Sequence, residues 1–194
     1  CLVACNHYSH PGFRAWWLTF AITAALAERR ALGAEEEMAW VITAAGRFEG
    51  HPWRQRALTP LSRIVFARIA HTYGFVTMPP MPPAPEEALD RAVAVRRTLR
   101  LARRLVATGG LLGLSPEGRD TAVGLAEPPP GVGSFIALLV GTGMPVLPVA
   151  IHETDGRLRI RFGPTFVPEV PTDRAARDRA VAAQVMDAIR RLMP

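Results

Sequence analysis

Residues 2–12 read Leu-Val-Ala-Cys-Asn-His-Tyr-Ser-His-Pro-Gly, and a long helical segment follows from Phe13. The four apolar residues are typical of a buried strand, whereas Pro11 and Gly12 are turn residues that separate a strand from the next helix. The polar loop therefore lies at the C-terminal end of a predicted strand. In open α/β sheets this edge is where ligands bind. His7 is the first candidate for a catalytic side chain.

Short apolar runs alternate with longer helical patterns along the chain, which indicates a βαβ-rich α/β domain. Pro60 and Asp173 are expected in the first turns of their helices. We predict one α/β domain over residues 1–194, with a mixed, mostly parallel sheet flanked by helices. The predicted strands cover 2–5, 38–44, 74–78, 111–114, 144–151 and 158–162, and the predicted helices cover 13–30, 58–71, 86–107, 134–140 and 172–192.

The composition fits a globular protein that binds an anionic partner. The chain has 194 residues, 49% of them apolar, and a net charge of +6. This length is enough for one hydrophobic core. The positive charge comes from arginine, whose planar guanidinium binds phosphate or carboxylate bidentately. No nucleic-acid-binding signature is present, so nucleic acid is not an expected partner.

The two cysteines and the apolar stretches limit the cellular setting. Cys1 and Cys5 are neighbours on one short run. Such neighbours rarely form a disulfide, which favours a reducing compartment. The longest apolar stretch, residues 16–27, is too short to cross a bilayer. The chain begins directly on a strand without an initiator Met, so we expect a cropped or processed N-terminus.

The helix predicted over residues 86–107 carries six arginines away from an apolar stripe. A solvated helix face explains the arginines, and so does a surface that contacts anionic lipid. Both interpretations stay open. The stripe consists of Leu89, Ala92, Val95, Leu99, Ala102 and Val106, and the arginines are Arg91, Arg96, Arg97, Arg100, Arg103 and Arg104.

Three loops follow predicted strands, at residues 6–12, 79–85 and 115–121. In a parallel sheet these loops converge on one edge, which would bring a histidine, a proline-rich wall and a Glu-Gly-Arg turn around one cleft. Gly118 permits a positive-φ turn that exposes backbone N–H groups to an anion, and Arg119 is placed to bind a phosphate. An ordinary turn with a surface salt bridge is the alternative.

The cysteines and the other histidines give weaker indications of a functional site. Cys5, His7 and His10 lack a fourth ligand at a recognisable zinc spacing, so we expect no metal site. The other histidines are expected at the surface or at interfaces. They are His51, His71 and His152.

These loops resemble the motifs of the glycerolipid acyltransferases, typified by 1-acylglycerol-3-phosphate acyltransferase. The family's first motif, Asn-His-x-Ser-x-x-Asp, is similar to residues 6–12. Its third motif, Phe-Pro-Glu-Gly-Thr-Arg-Ser, is similar to Ser-Pro-Glu-Gly-Arg-Asp at residues 115–120, with the arginine one place early. Its Val-Pro-Val-Val-Pro-Val strand is similar to residues 144–150, and its Phe-Gly-x-Pro segment to residues 161–165. Order and spacing agree over nearly the whole chain.

The resemblance implies a glycerol-3-phosphate acyltransferase-like fold. It implies transfer of a fatty acyl group from an acyl thioester, of coenzyme A or acyl carrier protein, to a hydroxyl of a lysophospholipid-like or other lipid acceptor. His7 would be the general base, and Ser9 and His10 complete the implied catalytic group as candidates to hold its ring. The implied substrate-binding residues are Asn6, Pro116, Glu117, Gly118 and Arg119.

The same resemblance implies a location and a set of partners. The thioester is a co-substrate, and no cofactor is expected beyond it. The expected partners are the acyl thioester, the lipid acceptor and an anionic membrane contacted peripherally. The expected location is cytoplasmic, at the inner face of the membrane.

Two positions depart from the family pattern. Gly12 stands where the family has the aspartate that orients the histidine, and Pro79 or Pro80 stands where the second motif has an arginine. Loss of such an orienting carboxylate in a serine protease costs about 10⁴ in turnover, roughly 5 kcal/mol.

Three alternatives follow from these departures. In the first, another group holds the His7 ring in place of the aspartate: Ser9, His10, a backbone carbonyl or a bound water. Alternatively, the chain is a non-catalytic relative that binds lipid or acyl thioester. In the third, the acceptor is not a glycerol phosphate but an uncharged or larger alcohol, or an amine.

Overall fold

Strands and helices alternate along the chain. The structure, a computed structural model, describes residues 1–8, 16–30, 38–46, 52–79, 87–119 and 124–194. The strands are β1 (Leu2–Cys5), β2 (Met38–Thr43), β3 (Val76–Met78), β4 (Leu111–Leu114), β5 (Val146–Thr154) and β6 (Arg157–Phe162). The helices are α1 (Trp16–Arg30), α2 (Pro52–Tyr73), α3 (Ala88–Thr108), α4 (Val132–Val140) and α5 (Arg174–Arg190).

The six strands form one sheet in the order β3-β2-β4-β1-β5-β6. The first five are parallel, and β6 runs antiparallel to β5. The predicted mixed, mostly parallel sheet is therefore confirmed. Strand β1 is one of the two central strands, and its Val3 pairs with Gly113 of β4 and with Leu147 of β5. Because β1, β4 and β5 are parallel neighbours, the segments that follow them leave the sheet at the same edge.

Helices cover both faces of the sheet, and each face has its own core. Leu2 and Ala4 lie in a core with side chains of α3, α4 and α5, whereas Val3 and Cys5 lie in a core with side chains of α1 and α2. All four residues of β1 are at most 1% exposed. Burial on both faces explains why this strand is a continuous apolar run rather than an alternating pattern.

A glycine at the centre of the sheet permits one close contact in the second core. The Trp40 ring from β2 packs directly on the backbone of Gly113 in β4, and a Cβ atom at Gly113 would lie 2.4 Å from Trp40 Cε3. Any larger residue at this position would force the buried indole to move.

Helix α2 begins earlier than predicted. It covers Pro52–Tyr73 rather than residues 58–71, so Pro52 occupies the first helical position and Pro60 lies inside the helix. The expectation that Pro60 marks the first turn was wrong. The arginines, glutamine, alanine and leucine of residues 54–58 are good helix formers, and their propensity extends the helix across a proline that removes one backbone hydrogen bond.

The face that helix α3 turns to the core only partly overlaps the predicted apolar stripe. Its buried residues are Thr98, Ala102 and Leu105. Leu89 is 75% exposed and Val106 is 40% exposed, so the predicted stripe was wrong at both of these positions. Thr98 tolerates burial because its hydroxyl donates to the carbonyl oxygen of Ala94 at 2.9 Å. The outer side of α3 therefore keeps apolar side chains among its arginines.

The other predicted boundaries shift by a few residues. The strand predicted from residue 74 starts at Val76, because Gly74, with φ +66°, ends α2 in the left-handed conformation. Asp173 is the N-cap of α5 rather than a first-turn residue, and its Oδ1 accepts from the Ala175 N–H at 3.0 Å. Residues 13–15 of the first predicted helix lie outside the described residues. None of the helices in the described ranges has the length and apolar content needed to cross a membrane.

Candidate functional site

The loops after β1 and β4 meet at the C-terminal edge of the sheet. The backbone N–H of His7 donates to Oε2 of Glu117 at 2.5 Å. The predicted convergence of the first and third loops is therefore confirmed. The second loop lies outside the described residues from residue 80 onward, as do Ser9 and His10 of the first loop.

Glu117 joins three segments through one buried carboxylate. Its Oε1 accepts from the backbone N–H of Ala126 at 2.5 Å, while its Oε2 accepts from His7. The side chain is only 1% exposed. Burial raises the pKa of the Glu117 carboxyl, while the two N–H donors and the charges of His7 and Arg119 oppose that rise. Glu117 therefore holds the first loop, the third loop and the segment before α4 together.

The residues beside Glu117 in its turn differ in burial and in hydrogen bonding. Gly118 has φ +62°, a conformation that favours glycine, as the sequence predicts. Its own N–H donates to the carbonyl oxygen of Ser115 at 3.2 Å, so this donor is used inside the turn and not directed at an anion. Pro116 is buried, and Arg119 is exposed beside the turn. Arg119 is thus the member of the turn that is open to a solvent-borne anion.

Asn6 fixes the start of the first loop against β5. Its Oδ1 accepts from the backbone N–H of Ile151 at 2.7 Å, and its Nδ2 donates to the carbonyl oxygen of the same residue at 2.8 Å. An asparagine side chain provides the donor and the acceptor that this pair requires. Asn6 is 1% exposed, and it extends the pairing of β1 with β5 by one residue. The amide thus positions the backbone that leads into His7.

The residues just before the two loops also contact each other. Cys5 Sγ lies 3.3 Å from Ser115 Oγ, as the register of Ala4 opposite Leu114 requires. Burial raises the pKa of the Cys5 thiol to about 12. A thiol that stays protonated is a poor nucleophile and a poor metal ligand. Among the residues that the structure describes, no group of His, Cys, Asp and Glu side chains is arranged to hold a metal ion.

A second carboxylate beside the first loop was missed by the sequence analysis. The hydroxyl of Tyr8 donates to Oε2 of Glu153 at 2.9 Å. Partial burial and this hydrogen bond raise the pKa of Tyr8. Glu153 was missed because the fifth strand was predicted to end at residue 151, whereas β5 continues to Thr154. The loop that carries His7 is therefore held by Asn6 on one side of it and by Tyr8 on the other.

His152 lies within the sheet rather than at the surface. It is 5% exposed, so of the two expected positions, surface or interface, the surface position was wrong for this histidine. Burial lowers the pKa of His152, and the neighbouring charges of Arg161 and Arg159 lower it further. Its Nδ1 has no hydrogen-bond partner among the described residues. The charged form of this imidazole is therefore disfavoured beside an arginine-rich edge strand.

Comparisons of the chain with protein-family models, with curated proteins and with solved structures find no match. A functional assignment therefore depends on the residues and contacts described above.

Proposed function

We propose that the chain transfers a fatty acyl group from an acyl thioester to a hydroxyl of a lipid acceptor, on a glycerol-3-phosphate acyltransferase-like fold. The observation that carries this proposal is the hydrogen bond between the His7 N–H and the Glu117 carboxylate. It joins the two loops that resemble the first and third motifs of that family into one site.

His7 acts as the general base in this proposal. Its imidazole takes the proton of the acceptor hydroxyl as the oxygen attacks the thioester carbonyl carbon. A C–O bond forms, and the tetrahedral intermediate collapses with cleavage of the C–S bond. The leaving thiolate takes a proton, and the histidine returns to its neutral form. The products are an acyl ester and a free thiol of coenzyme A or acyl carrier protein.

The contacts around His7 supply positioning for this step. Glu117 accepts a hydrogen bond from the His7 N–H. Asn6, the residue immediately before His7, binds both backbone groups of Ile151. A base that is fixed by folding loses less conformational freedom when the substrates bind. This positioning acts on the backbone of the loop. Ring orientation in place of the missing aspartate is left to Ser9, His10, a backbone carbonyl or a bound water.

A variant at His7 tests the proposed base. Release of thiol from an acyl-CoA is measured with a panel of acceptors that includes lysophosphatidic acid, neutral alcohols and amines. We expect release to depend on one class of acceptor and to be abolished by His7→Ala. His71→Ala is the matched control, because His71 is exposed on α2, and this variant should keep the wild-type rate. An unchanged rate of thiol release in His7→Ala would contradict the mechanism.

The presence of Gly12 favours a second candidate, a relative that binds lipid or acyl thioester without turnover. Gly12→Asp distinguishes the two. If the base is only unaligned, this variant raises the rate of thiol release. A binding protein instead shows affinity for the thioester or the lipid and no turnover in either form. The proline at residue 79 or 80 adds a prediction for the enzyme, namely a preference for a neutral acceptor over lysophosphatidic acid.

A further inference from the structure

A cavity lies beside the edge strand β3, at the edge of the sheet opposite to His7. It is lined by the last turn of α2, by Gly74, Phe75 and Val76, and by side chains of α3. Because β3 runs parallel to β2, β4 and β1, the residues that lead into β3 lie at the N-terminal edge of the sheet. His7 follows β1 and lies at the C-terminal edge. We call this space the β3 cavity, and it is separate from the site that carries His7.

The floor of the β3 cavity is apolar and recessed. Phe75 and Val76 line it and are 9% and 2% exposed, and the partly buried Leu101 of α3 lines it as well. The Phe75 ring stacks on the Tyr73 ring, with the ring centroids 5.6 Å apart, so the fold itself holds this floor in place. The cavity has a volume of about 500 Å³, within the range of about 300–1,000 Å³ that is typical of small-molecule sites.

Three arginines of α3 form the rim of the β3 cavity. Arg97, Arg100 and Arg104 line it, and all three are exposed. Their spacing of three and then four residues puts them on one side of the helix, with neighbouring Cβ atoms about 5–6 Å apart. Among the described residues, no carboxylate lines the cavity, and Arg97 and Arg100 have no hydrogen bond or ion pair. The rim therefore presents several guanidinium groups within reach of one anionic ligand.

Charge and shape together indicate the chemistry of the ligand. Like charges three or four positions apart destabilise a helix, and a bound anion removes that repulsion. A ligand with two or more phosphoryl groups can bind neighbouring guanidinium groups at once. The apolar floor suits a ring joined to those groups. A bilayer fits this cavity less well, because Phe75 and Val76 are buried beneath the arginines and cannot enter a layer of acyl chains.

We propose that the β3 cavity binds a small soluble ligand in which two or more phosphoryl groups are joined to an apolar ring, as in a nucleoside polyphosphate. Arg97, Arg100 and Arg104 bind the phosphoryl oxygens, and the ring packs on Phe75 and Leu101. This inference goes beyond the proposed function and does not depend on it, since the β3 cavity and the His7 site lie at opposite edges of the sheet.

Calorimetric titration of the full chain tests the β3 cavity. The probes are adenosine triphosphate (ATP), tripolyphosphate and inorganic phosphate, each with a chelator that removes divalent cations. We expect tripolyphosphate to bind more tightly than phosphate, because it reaches more than one arginine. ATP should bind more tightly than tripolyphosphate, because its base adds contact with the apolar floor. Equal affinity for ATP and tripolyphosphate overturns the proposal, as does the absence of ATP binding.

Two double variants on the same helix separate the cavity from the general charge of α3. Arg97→Gln/Arg100→Gln should weaken ATP binding roughly tenfold or more, because charge-assisted hydrogen bonds are lost. Arg96→Gln/Arg103→Gln makes the same change in net charge, but neither residue lines the β3 cavity, so it should weaken ATP binding less than about threefold at physiological salt. All four arginines are exposed, so both variants are expected to fold. Equal weakening of ATP binding in the two variants overturns the proposal.

Two further measurements locate the bound nucleotide. Arg119→Gln removes the exposed arginine at the opposite edge of the sheet and should leave the affinity for ATP unchanged. Loss of ATP binding in Arg119→Gln would place the nucleotide beside the His7 site and overturns the proposal. Vesicles that contain phosphatidylglycerol should not displace bound ATP. Displacement by these vesicles, but not by phosphatidylcholine vesicles, would assign the cavity to a lipid headgroup and also overturns the proposal of a soluble ligand.

Discussion

The carboxylate of Glu117 accepts a hydrogen bond at 2.5 Å from the backbone N–H of His7, a residue 110 positions earlier in the chain. Its second oxygen accepts from Ala126. A buried carboxylate is costly unless hydrogen bonds satisfy it, and backbone donors from two other segments do so here. The histidine loop is thus held in part by a side chain that is remote in sequence.

Replacing Glu117 with glutamine tests this restraint. The amide would point its NH₂ group at one of two backbone donors, leaving a buried N–H unsatisfied. We expect the free energy of unfolding to fall by about 1–3 kcal/mol, measured by urea denaturation. Thiol release under native conditions should also fall, roughly tenfold or more, since the loop that carries the base is no longer fixed.

Glu127→Gln is the matched control for that variant. Glu127 is exposed and lies next to Ala126 in the same segment. Its replacement should change neither stability nor turnover beyond about 0.5 kcal/mol. A Glu117→Gln protein with wild-type stability would show that the carboxylate does not hold the loops together.

Asn6→Ala tests the restraint on the other side of His7. The Ile151 N–H, which now donates to Asn6 Oδ1 at 2.7 Å, would lose its acceptor. We expect faster hydrogen exchange at the Ile151 amide and a loss of about 1–3 kcal/mol in the free energy of unfolding. The amide of Ala150, which lies opposite Arg161 in the ladder between β5 and β6, is the internal reference and should keep its protection in the folded protein. Unchanged protection at Ile151 would contradict the contact.

Most strands were predictable from the sequence because they are short apolar runs bounded by turn residues. Leu2–Cys5 and Leu111–Leu114 are buried on both faces, so their apolar character is continuous and their ends are sharp. Parallel neighbours then force the segments after them to one edge. That reasoning alone places His7 and Glu117 at one edge of the sheet.

The helix faces and the partners of Glu117 were not predictable in the same way. An apolar stripe shows which side of α3 can be buried, but the neighbouring elements decide which side is buried. The core takes Thr98 and leaves Leu89 exposed. The side chains that accept hydrogen bonds from backbone N–H groups are even harder to predict from the sequence. The contact between His7 and Glu117, for example, depends on the pairing of two strands that are distant in the chain. The motifs predicted that His7 and Glu117 belong to the site, and the fold shows that the two residues are in contact.

A comparable long-range contact joins helices α4 and α5. The carboxylate of Asp178 on α5 accepts from the backbone N–H groups of Gly131 and Ser134, each at 2.8 Å, at the start of α4. A Cβ atom at Gly133 would lie 1.8 Å from the carbonyl oxygen of Asp178, so only glycine permits this approach. Partial burial alone would raise the pKa of Asp178, but the backbone donors at the helix N-terminus hold it below its usual value.

The lowered pKa of Asp178 predicts how stability depends on pH. Because the ionised carboxyl is favoured in the folded state, its contribution is fully present above the ordinary aspartate value of about 3.9 and is lost as the pH falls through the lower folded value. Asp178→Asn should therefore reduce the free energy of unfolding by about 1 kcal/mol at pH 7, and the difference from wild type should shrink in acid. Urea denaturation across this pH range measures both. Asp155→Asn, at an exposed residue with φ +53° that asparagine also tolerates, should match wild type throughout. A difference between wild type and Asp178→Asn that stays constant into acid would mean that packing, and not the charge at the start of α4, is what Asp178 contributes.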